Sequence, residues 1–319
     1  MARGFLLSAL AIVTAACAGA PARETDYIIL QTVTAPNRQP DGNTIMLKTA
    51  DGIVVIDTGR HRARVHDIVE EAAIRELPVI AIFNTHWHLD HISGNIALRE
   101  AFPVAAVYSH RPALQEALSG FLARGAVANR KRIADPAADP GAREDASTDL
   151  ATVEAGSRLY PTVSIERTQT LAIGGRTLDV HVAQAASAGD LWFYDPAARL
   201  AIAGDLITLP APFLDTACPK NWRAELDALL ATPFEQLAPG HGRMMTRADV
   251  TLYRDAFGAL LDCASSLASA GACADQWSKA AAPLLDESSG DAGQASAYAG
   301  YYVENVLRKP DAKPAWCQG

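Results

Sequence analysis

No basic stripe with interleaved aromatics occurs anywhere in this 319-residue chain, whose net charge is -8 and whose aromatic share is 7%. Without such a stripe there is nothing to neutralise a phosphate backbone or stack on bases, so nucleic acid is excluded as a partner. The one cationic run, Arg130-Lys131-Arg132, reads as a solvated helix end. Past the first residues there is no uninterrupted apolar run of membrane-spanning length; the best, Leu200 to Leu209, is broken by Asp205. Cysteines number only five, and their spacing is not that of a zinc cluster. What remains, at 49% hydrophobic residues, is a chain able to bury a large core and to handle a small-molecule substrate.

The first residues form the exception to the missing apolar run. Residues 1–17 read as an export signal: Arg3 supplies the positive start, and Phe5 to Ala16 is apolar but too short to span a bilayer. Ala16, Ala18 and Ala20 offer cleavage sites, and Thr14-Ala15-Ala16-Cys17 resembles a bacterial lipobox with Thr14 where Leu is usual. Lipid attachment at Cys17 and a stray cysteine in a removed peptide both stand open; attachment would tether a periplasmic protein, the only membrane association expected. In an oxidising compartment the even set Cys218, Cys263, Cys273 and Cys317 implies two disulfides. Of the three pairings Cys263–Cys273 is preferred, because the short turn Ala268 to Gly271 brings two helix ends together; Cys218–Cys317 would then pin the tail to the body.

The chemistry concentrates in Phe83-Asn84-Thr85-His86-Trp87-His88-Leu89-Asp90-His91-Ile92-Ser93-Gly94-Asn95, directly after the apolar run Val79 to Phe83. A strand ending in His86, His88, Asp90 and His91 presents nitrogen and oxygen donors at a sheet edge, a set that suits zinc, with iron and manganese allowed by the same ligand logic. Around it, strand-like runs (Tyr27 to Val33, Thr44 to Lys48, Gly52 to Ile56) alternate with helical spacing over Val65 to Leu77, predicting α/β layers. Pro112 to Gly156 interrupts that rhythm, with helices expected over Ala113 to Arg132 and Thr148 to Ala155 around a loop at Asp135 to Gly141. Ser164 to Leu171 reads as a strand, followed by a hairpin turning at Gly174-Gly175. Asp205 ends the run Leu200 to Ile202, and His241 sits on the glycine-flanked loop Pro239-Gly240-His241-Gly242. From Arg247 the chain is Ala-rich and helical in pattern.

His86-x-His88-x-Asp90-His91, the turn Asp57-Thr58-Gly59, Ala203-Gly204-Asp205 and Pro239-Gly240-His241-Gly242 stand in the order of the metallo-β-lactamase-fold hydrolase superfamily, which the chain resembles over roughly Tyr27 to Thr246. The resemblance implies an αβ/βα sandwich over residues 25–246, with a helical insertion at about 112–156 and a C-terminal helical extension at 247–319. It implies His86 and His88 at a first metal site, Asp90, His91 and His241 at a second, Asp205 bridging both, and Asp57 as a buried brace. The family pattern also has a third first-site histidine; here the matching turn is Ala186-Ser187-Ala188-Gly189-Asp190, so a methyl group stands at the ligand position. Gln184 is a candidate substitute donor, weighed against an ordinary strand-end glutamine.

The function so implied is that of an exported zinc-dependent hydrolase, in which a metal-stabilised hydroxide attacks an ester, thioester, lactone or amide-like substrate and Asp90 passes the proton on. One metal is expected to be held firmly and a second weakly. The other readings are a metal- or ligand-binding protein that has lost hydrolytic power with the missing ligand and, behind it, a β-lactamase; fold alone assigns no substrate.

Overall fold

The computed structural model describes residues 26–31, 38–285, 291–309 and 314–317. The export-signal segment with Cys17 lies outside the described residues, as do Thr32 and Val33 at the end of the first expected strand. The first of two six-stranded sheets runs β1 (Tyr27–Leu30), β2 (Thr44–Lys48), β3 (Ile53–Ile56), β4 (Val79–Phe83), β5 (Ala106–Ser109) and β6 (Val163–Ser164), in that spatial order. The second runs from β7 (Gln169–Ile173) through β8 (Arg176–Ala183), β9 (Asp190–Asp195), β10 (Leu200–Gly204) and β11 (Gln236–Pro239) to β12 (Met245–Thr246).

Central strands such as β3, β9 and β10 are buried on both faces because each sheet is covered twice there. In β3, Val54 and Ile56 point into the core between the sheets, while Ile53 and Val55 face the helices α1 (Arg62–Ile74) and α3 (Asn95–Ala101). Phe83 of β4 stacks on Tyr108 at 4.5 Å and meets Phe193 of the opposite sheet edge-on at 5.4 Å, tying the layers together. The outer face of the second sheet, including Trp192, Ala201 and Leu237, is buried by α7 (Pro219–Ala231), α8 (Arg247–Ala264), α9 (Ala270–Ala281) and α10 (Asp291–Tyr302). The architecture is the helix–sheet–sheet–helix sandwich expected from the motifs.

Two parallel neighbours matter most for function. β3 and β4 are parallel, as are β10 and β11, so their C-terminal ends deliver Asp57 beside the histidine turn and Asp205 beside His241. Asn43 stitches these ends: its backbone N–H donates to the Gly240 carbonyl at 2.7 Å, and its side chain donates to the Pro239 and Gly242 carbonyls at 2.9 Å each.

Elsewhere the sequence expectations need local correction. The run Ser164 to Leu171 is not one strand: β6 closes the first sheet, the chain crosses over, and β7 opens the second. Burial of Ile165 between the layers anchors the crossing. The Gly174-Gly175 hairpin is as expected, with φ of 57° and 78° as a type I′ turn demands. In the insertion, the single helix expected over Ala113 to Arg132 is broken at Gly120 into α4 (Arg111–Ser119) and α5 (Phe121–Ala134). The next helix, α6 (Pro140–Glu154), starts eight residues earlier than Thr148, because Asp139 accepts from the Gly141 and Ala142 amides and Pro140 takes the first helical position. The short α2 (Leu89–Ile92) carries Asp90 and His91. Both cysteine pairs are joined, Cys218–Cys317 at a Cα separation of 5.3 Å and Cys263–Cys273 at 5.6 Å. Among the described residues, no helix is long and apolar enough to cross a membrane.

Helix α8 opens on a reciprocal cap: Thr246 Oγ1 accepts from the Asp249 amide, and Asp249 accepts from the Thr246 amide at 2.8 Å. Hydrogen bonds from Arg243 and then Thr246, working against burial, hold the Asp249 carboxyl down at about 2. A depressed folded pKa stabilises above the unfolded value of about 3.9, and that contribution is lost as pH falls through the folded value. Asp249→Asn should therefore unfold at lower urea than the wild type at pH 6, and the gap should begin to narrow near pH 4. A gap of constant size down to pH 3 would show that the charge does not contribute.

Candidate metal centre

Each histidine of the turn is held in one tautomer by a neighbour. Thr85 Oγ1 donates to Asp57 at 2.7 Å, so it is left to accept from His86 Nδ1 at 3.0 Å, and His86 turns a bare Nε2 towards Asp205 Oδ2, 3.5 Å away. Thr216 Oγ1 donates to the Ala186 carbonyl at 2.9 Å and accepts from His88 Nε2 at 3.0 Å, leaving His88 Nδ1 to face the same Asp205 oxygen at 3.7 Å. His91 Nδ1 donates to Asp57 at 2.7 Å, and its Nε2 lies 3.3 Å from Asp205 Oδ1 and 3.7 Å from Asp90 Oδ2. His241 Nε2 is 3.0 Å from Asp90 Oδ2 and 3.6 Å from Asp205 Oδ1.

Asp205 thus turns one oxygen towards His86 and His88 and the other towards His91 and His241. Donor atoms of His86, His88 and Asp205, and separately of Asp90, His91 and His241, lie within 4.8 Å of one another. His86 Nε2, His91 Nε2 and Asp205 Oδ1 are buried without a hydrogen-bond partner. Three unpartnered polar atoms converging away from solvent are costly unless a cation joins them, and imidazole plus carboxylate is a donor set for a divalent transition metal. The residues fit the ion.

Electrostatics point the same way. Burial raises the Asp205 pKa, but His91, His241 and His86 overcome it and hold the carboxyl well below its ordinary range. Burial lowers the His91 pKa, yet Asp57, Asp205 and Asp90 raise it well above normal, a measure of the demand for positive charge at its Nε2. His88 is lowered, by burial first and by His86 second, and stays a neutral donor.

Asp57, placed by its resemblance as a buried brace, accepts the Thr85 amide, the Thr85 hydroxyl and His91 Nδ1, all at 2.7 Å. It does so from a backbone φ of 63°, unusual for a residue other than glycine and held here by those three bonds. Two glycines are required by close approach: a Cβ on Gly42 would lie 2.4 Å from the His91 ring, and one on Gly240 2.1 Å from Asp205 Oδ1.

Ala186 is buried, one carbonyl-to-hydroxyl contact away from His88 through Thr216. Gln184 is not brought to the group: β8 ends at Ala183, so strand alternation stops there, and Gln184 is exposed outside the cleft. His181 stacks on Trp192 at 3.6 Å. Two contributors carried no readable signal. Thr216 lies in a loop without a motif, and Arg60, just past the Asp57 turn, pairs with Asp149 of α6 and approaches Asp90 Oδ1 at 3.7 Å. His61 is also drawn in, bridging Asp41 at 2.8 Å and Asp145 at 3.0 Å rather than pointing to solvent.

The profile of the Metallo-beta-lactamase superfamily matches residues 38–263. The chain belongs to that superfamily. Among curated relatives, a hydroxyacylglutathione hydrolase from Gloeobacter violaceus is 54% identical over 44 residues, covering 14% of this chain and 18% of the relative. Another from Tolumonas auensis is 34% identical over 80 residues, covering 25% and 29%. The chain therefore spans less than a third of the length of these curated relatives. Among solved structures, a metallo-beta-lactamase family protein from Thermus thermophilus aligns with TM-score 0.54 at 17% identity, over 88% of this chain and 93% of that one. A stereoselective inverting sec-alkylsulfatase from Pseudomonas sp. aligns with TM-score 0.55 at 17% identity, over 88% and 50%. These likenesses show the superfamily's fold.

Asp57→Asn keeps the shape of the brace while placing an amide N–H₂ against donors. Loss of such an outer partner typically weakens metal binding by about 10- to 100-fold. We expect that range in competition titrations against a chromogenic chelator, with the circular dichroism spectrum retained; unchanged affinity would remove Asp57 from metal binding.

Proposed function

We propose that this superfamily member is an exported, zinc-dependent hydrolase of an ester, thioester, lactone or amide-like small molecule. The observation carrying the proposal is Asp205, whose two oxygens face separate histidine sets, with its Oδ1, His86 Nε2 and His91 Nε2 buried without hydrogen-bond partners. His86 and His88 would hold a first ion, Asp90, His91 and His241 a second, with Asp205 common to both. An ion so held lowers the pKa of water towards neutrality and polarises a carbonyl. Of the carbonyl substrates, thioesters gain support from the hydroxyacylglutathione hydrolases, though only over a short shared stretch. Two joined cysteine pairs and the N-terminal segment support export, with a membrane tether at Cys17 as part of the same proposal.

The chain's own residues divide the remaining work. Burial opposes ionisation of Asp90, but His91, His241 and Arg60 outweigh it, so the carboxylate stays charged. At the floor of the cleft Asp90 can receive a proton and deliver it to the leaving group, while Arg60, anchored by Asp149, fixes its position. The second set keeps all of its side-chain donors. The first has two imidazoles and a shared carboxylate, with Ala186 in place of a third imidazole, so it should hold its ion less firmly.

Metal analysis after gentle dialysis should give nearer one ion than two per chain, and His91→Ala should lose that ion while His86→Ala keeps it. Two retained ions would mean that another group replaces the missing imidazole. Ala186 itself favours one competing reading, a ligand-binding protein without turnover. Metal-dependent hydrolysis of ester, thioester, lactone or β-lactam probes, abolished in folded Asp90→Ala, supports the enzyme; failure on every probe supports the binder.

A further inference from the structure

Above the proposed metal centre lies a cleft of about 450 Å³, the size of pocket that encloses a small organic molecule. Besides the histidine turns, its walls come from α5 and α6, the loop after Asp205, and α10 near the C-terminus. A continuous line of rings runs from the ligand set outwards. Phe121 meets Trp87 at 5.7 Å, Trp87 meets His88 at 4.6 Å, His88 meets Phe213 at 5.1 Å, and Phe213 meets Tyr302 at 6.2 Å. Tyr298, half-exposed on α10, stands on the same wall.

Apart from the metal-centre residues, the buried charges on this lining are matched within the protein. Arg60 is paired with Asp149 and Asp90, and Asp145 with Arg38 and His61. A charged group buried among the rings would lose its hydration, the lining cation outside these pairs being Arg132 in solvent, whereas an apolar one gains about 25 cal/mol for each Å² it removes from water.

We propose that this aromatic wall is a specificity pocket for the uncharged apolar acyl chain of the substrate, and that α10 belongs to it. The acyl identity rests on the hydrolase reading; the preference for an uncharged apolar chain rests on the wall alone. The side chains that select are Phe121, Phe213 and Tyr298, the more exposed rings of a lining that also includes the largely buried Trp87 and Tyr302.

The test uses the metal-loaded full chain with matched probes. Calorimetric titration should show octanoate binding at least tenfold tighter than acetate, because both present the same carboxylate to the metal and differ only in the chain. Octanedioate, of equal length but charged at its far end, should bind no better than acetate. Hydrolysis of 4-nitrophenyl octanoate should exceed that of the acetate ester at least tenfold in kcat/KM. Phe121→Ala and Tyr298→Ala should each lower that octanoyl-to-acetyl ratio at least threefold, Tyr298→Ala being the variant on an exposed helix face. Tight octanoate binding without turnover of either ester, or of the thioester, lactone and β-lactam probes, would uphold the pocket and remove the hydrolase reading. Equal binding of octanoate and acetate, or octanedioate matching octanoate, would overturn the pocket whether or not esters are hydrolysed.

Discussion

Three carboxylates, Asp57, Asp90 and Asp205, are packed with four imidazoles where two sheets meet, and almost none of this cluster reaches solvent. Burying so much unlike charge is tolerable only when every polar atom has a partner of the right kind. Asp57 meets that condition by itself, spending its oxygens on Thr85 and His91. Asp205 does not: its Oδ1 is buried without a donor, and the imidazole nitrogens closest to it are bare. The remainder of the fold can be read as what brings this unsatisfied group together. Parallel pairing of β3 with β4 and of β10 with β11 aligns the strand tips, and Asn43 stops the two sheets from sliding apart there.

How much of this was legible in the sequence depends on how local the cause is. The turn from His86 to His91 is written in consecutive residues, so its chemistry could be read directly. Asp205 and His241 were legible because each follows an apolar run and sits among glycines, and Gly240 is there because a side chain would strike Asp205. The Gly174-Gly175 turn and the α/β layering follow from local propensity and period. Long-range contacts are a different matter. Nothing around Thr216 announces that its hydroxyl will sort the His88 tautomer, since the two are 128 positions apart. Arg60 and Asp149 are likewise ordinary surface types in sequence, made functional by the insertion folding back. The break at Gly120 and the early start of α6 were missed because a helical composition hides its own interruptions.

The insertion and the tail share a role that their sequences do not suggest. Helices α5 and α6 come to the cleft from one side, fastened by Arg60–Asp149 and by the Arg38–Asp145–His61 cluster. Hydrogen bonding to Asp41 raises the His61 pKa against its burial, which favours the charged form between two carboxylates. Helix α10 lines the cleft as well, and the Cys218–Cys317 bond fixes the end of the described chain to the residue that opens α7. The strand ends and the histidine turn carry the donors, and α5, α6, α10 and the loop after Asp205 stand around the cleft above them.

Ala186 stands where the resemblance expects a third imidazole, in a turn with a well-fixed frame. Its turn is still rigidly formed: Asp190 accepts the Ala185 and Ser187 amides at 3.0 Å and the Ser187 hydroxyl at 2.7 Å. Burial pushes the Asp190 carboxyl up to about 6 despite those bonds, a cost retained for the shape of the turn. The turn reaches His88 through Thr216, so it orients a donor. The two halves of the centre are therefore unequal by construction. On the second side Asp57 and Arg60 brace His91 and Asp90 directly, whereas on the first side only the pair of histidines and a shared carboxylate remain. An ion should settle where donors are most numerous and best oriented, and here both conditions select the side of Asp90, His91 and His241.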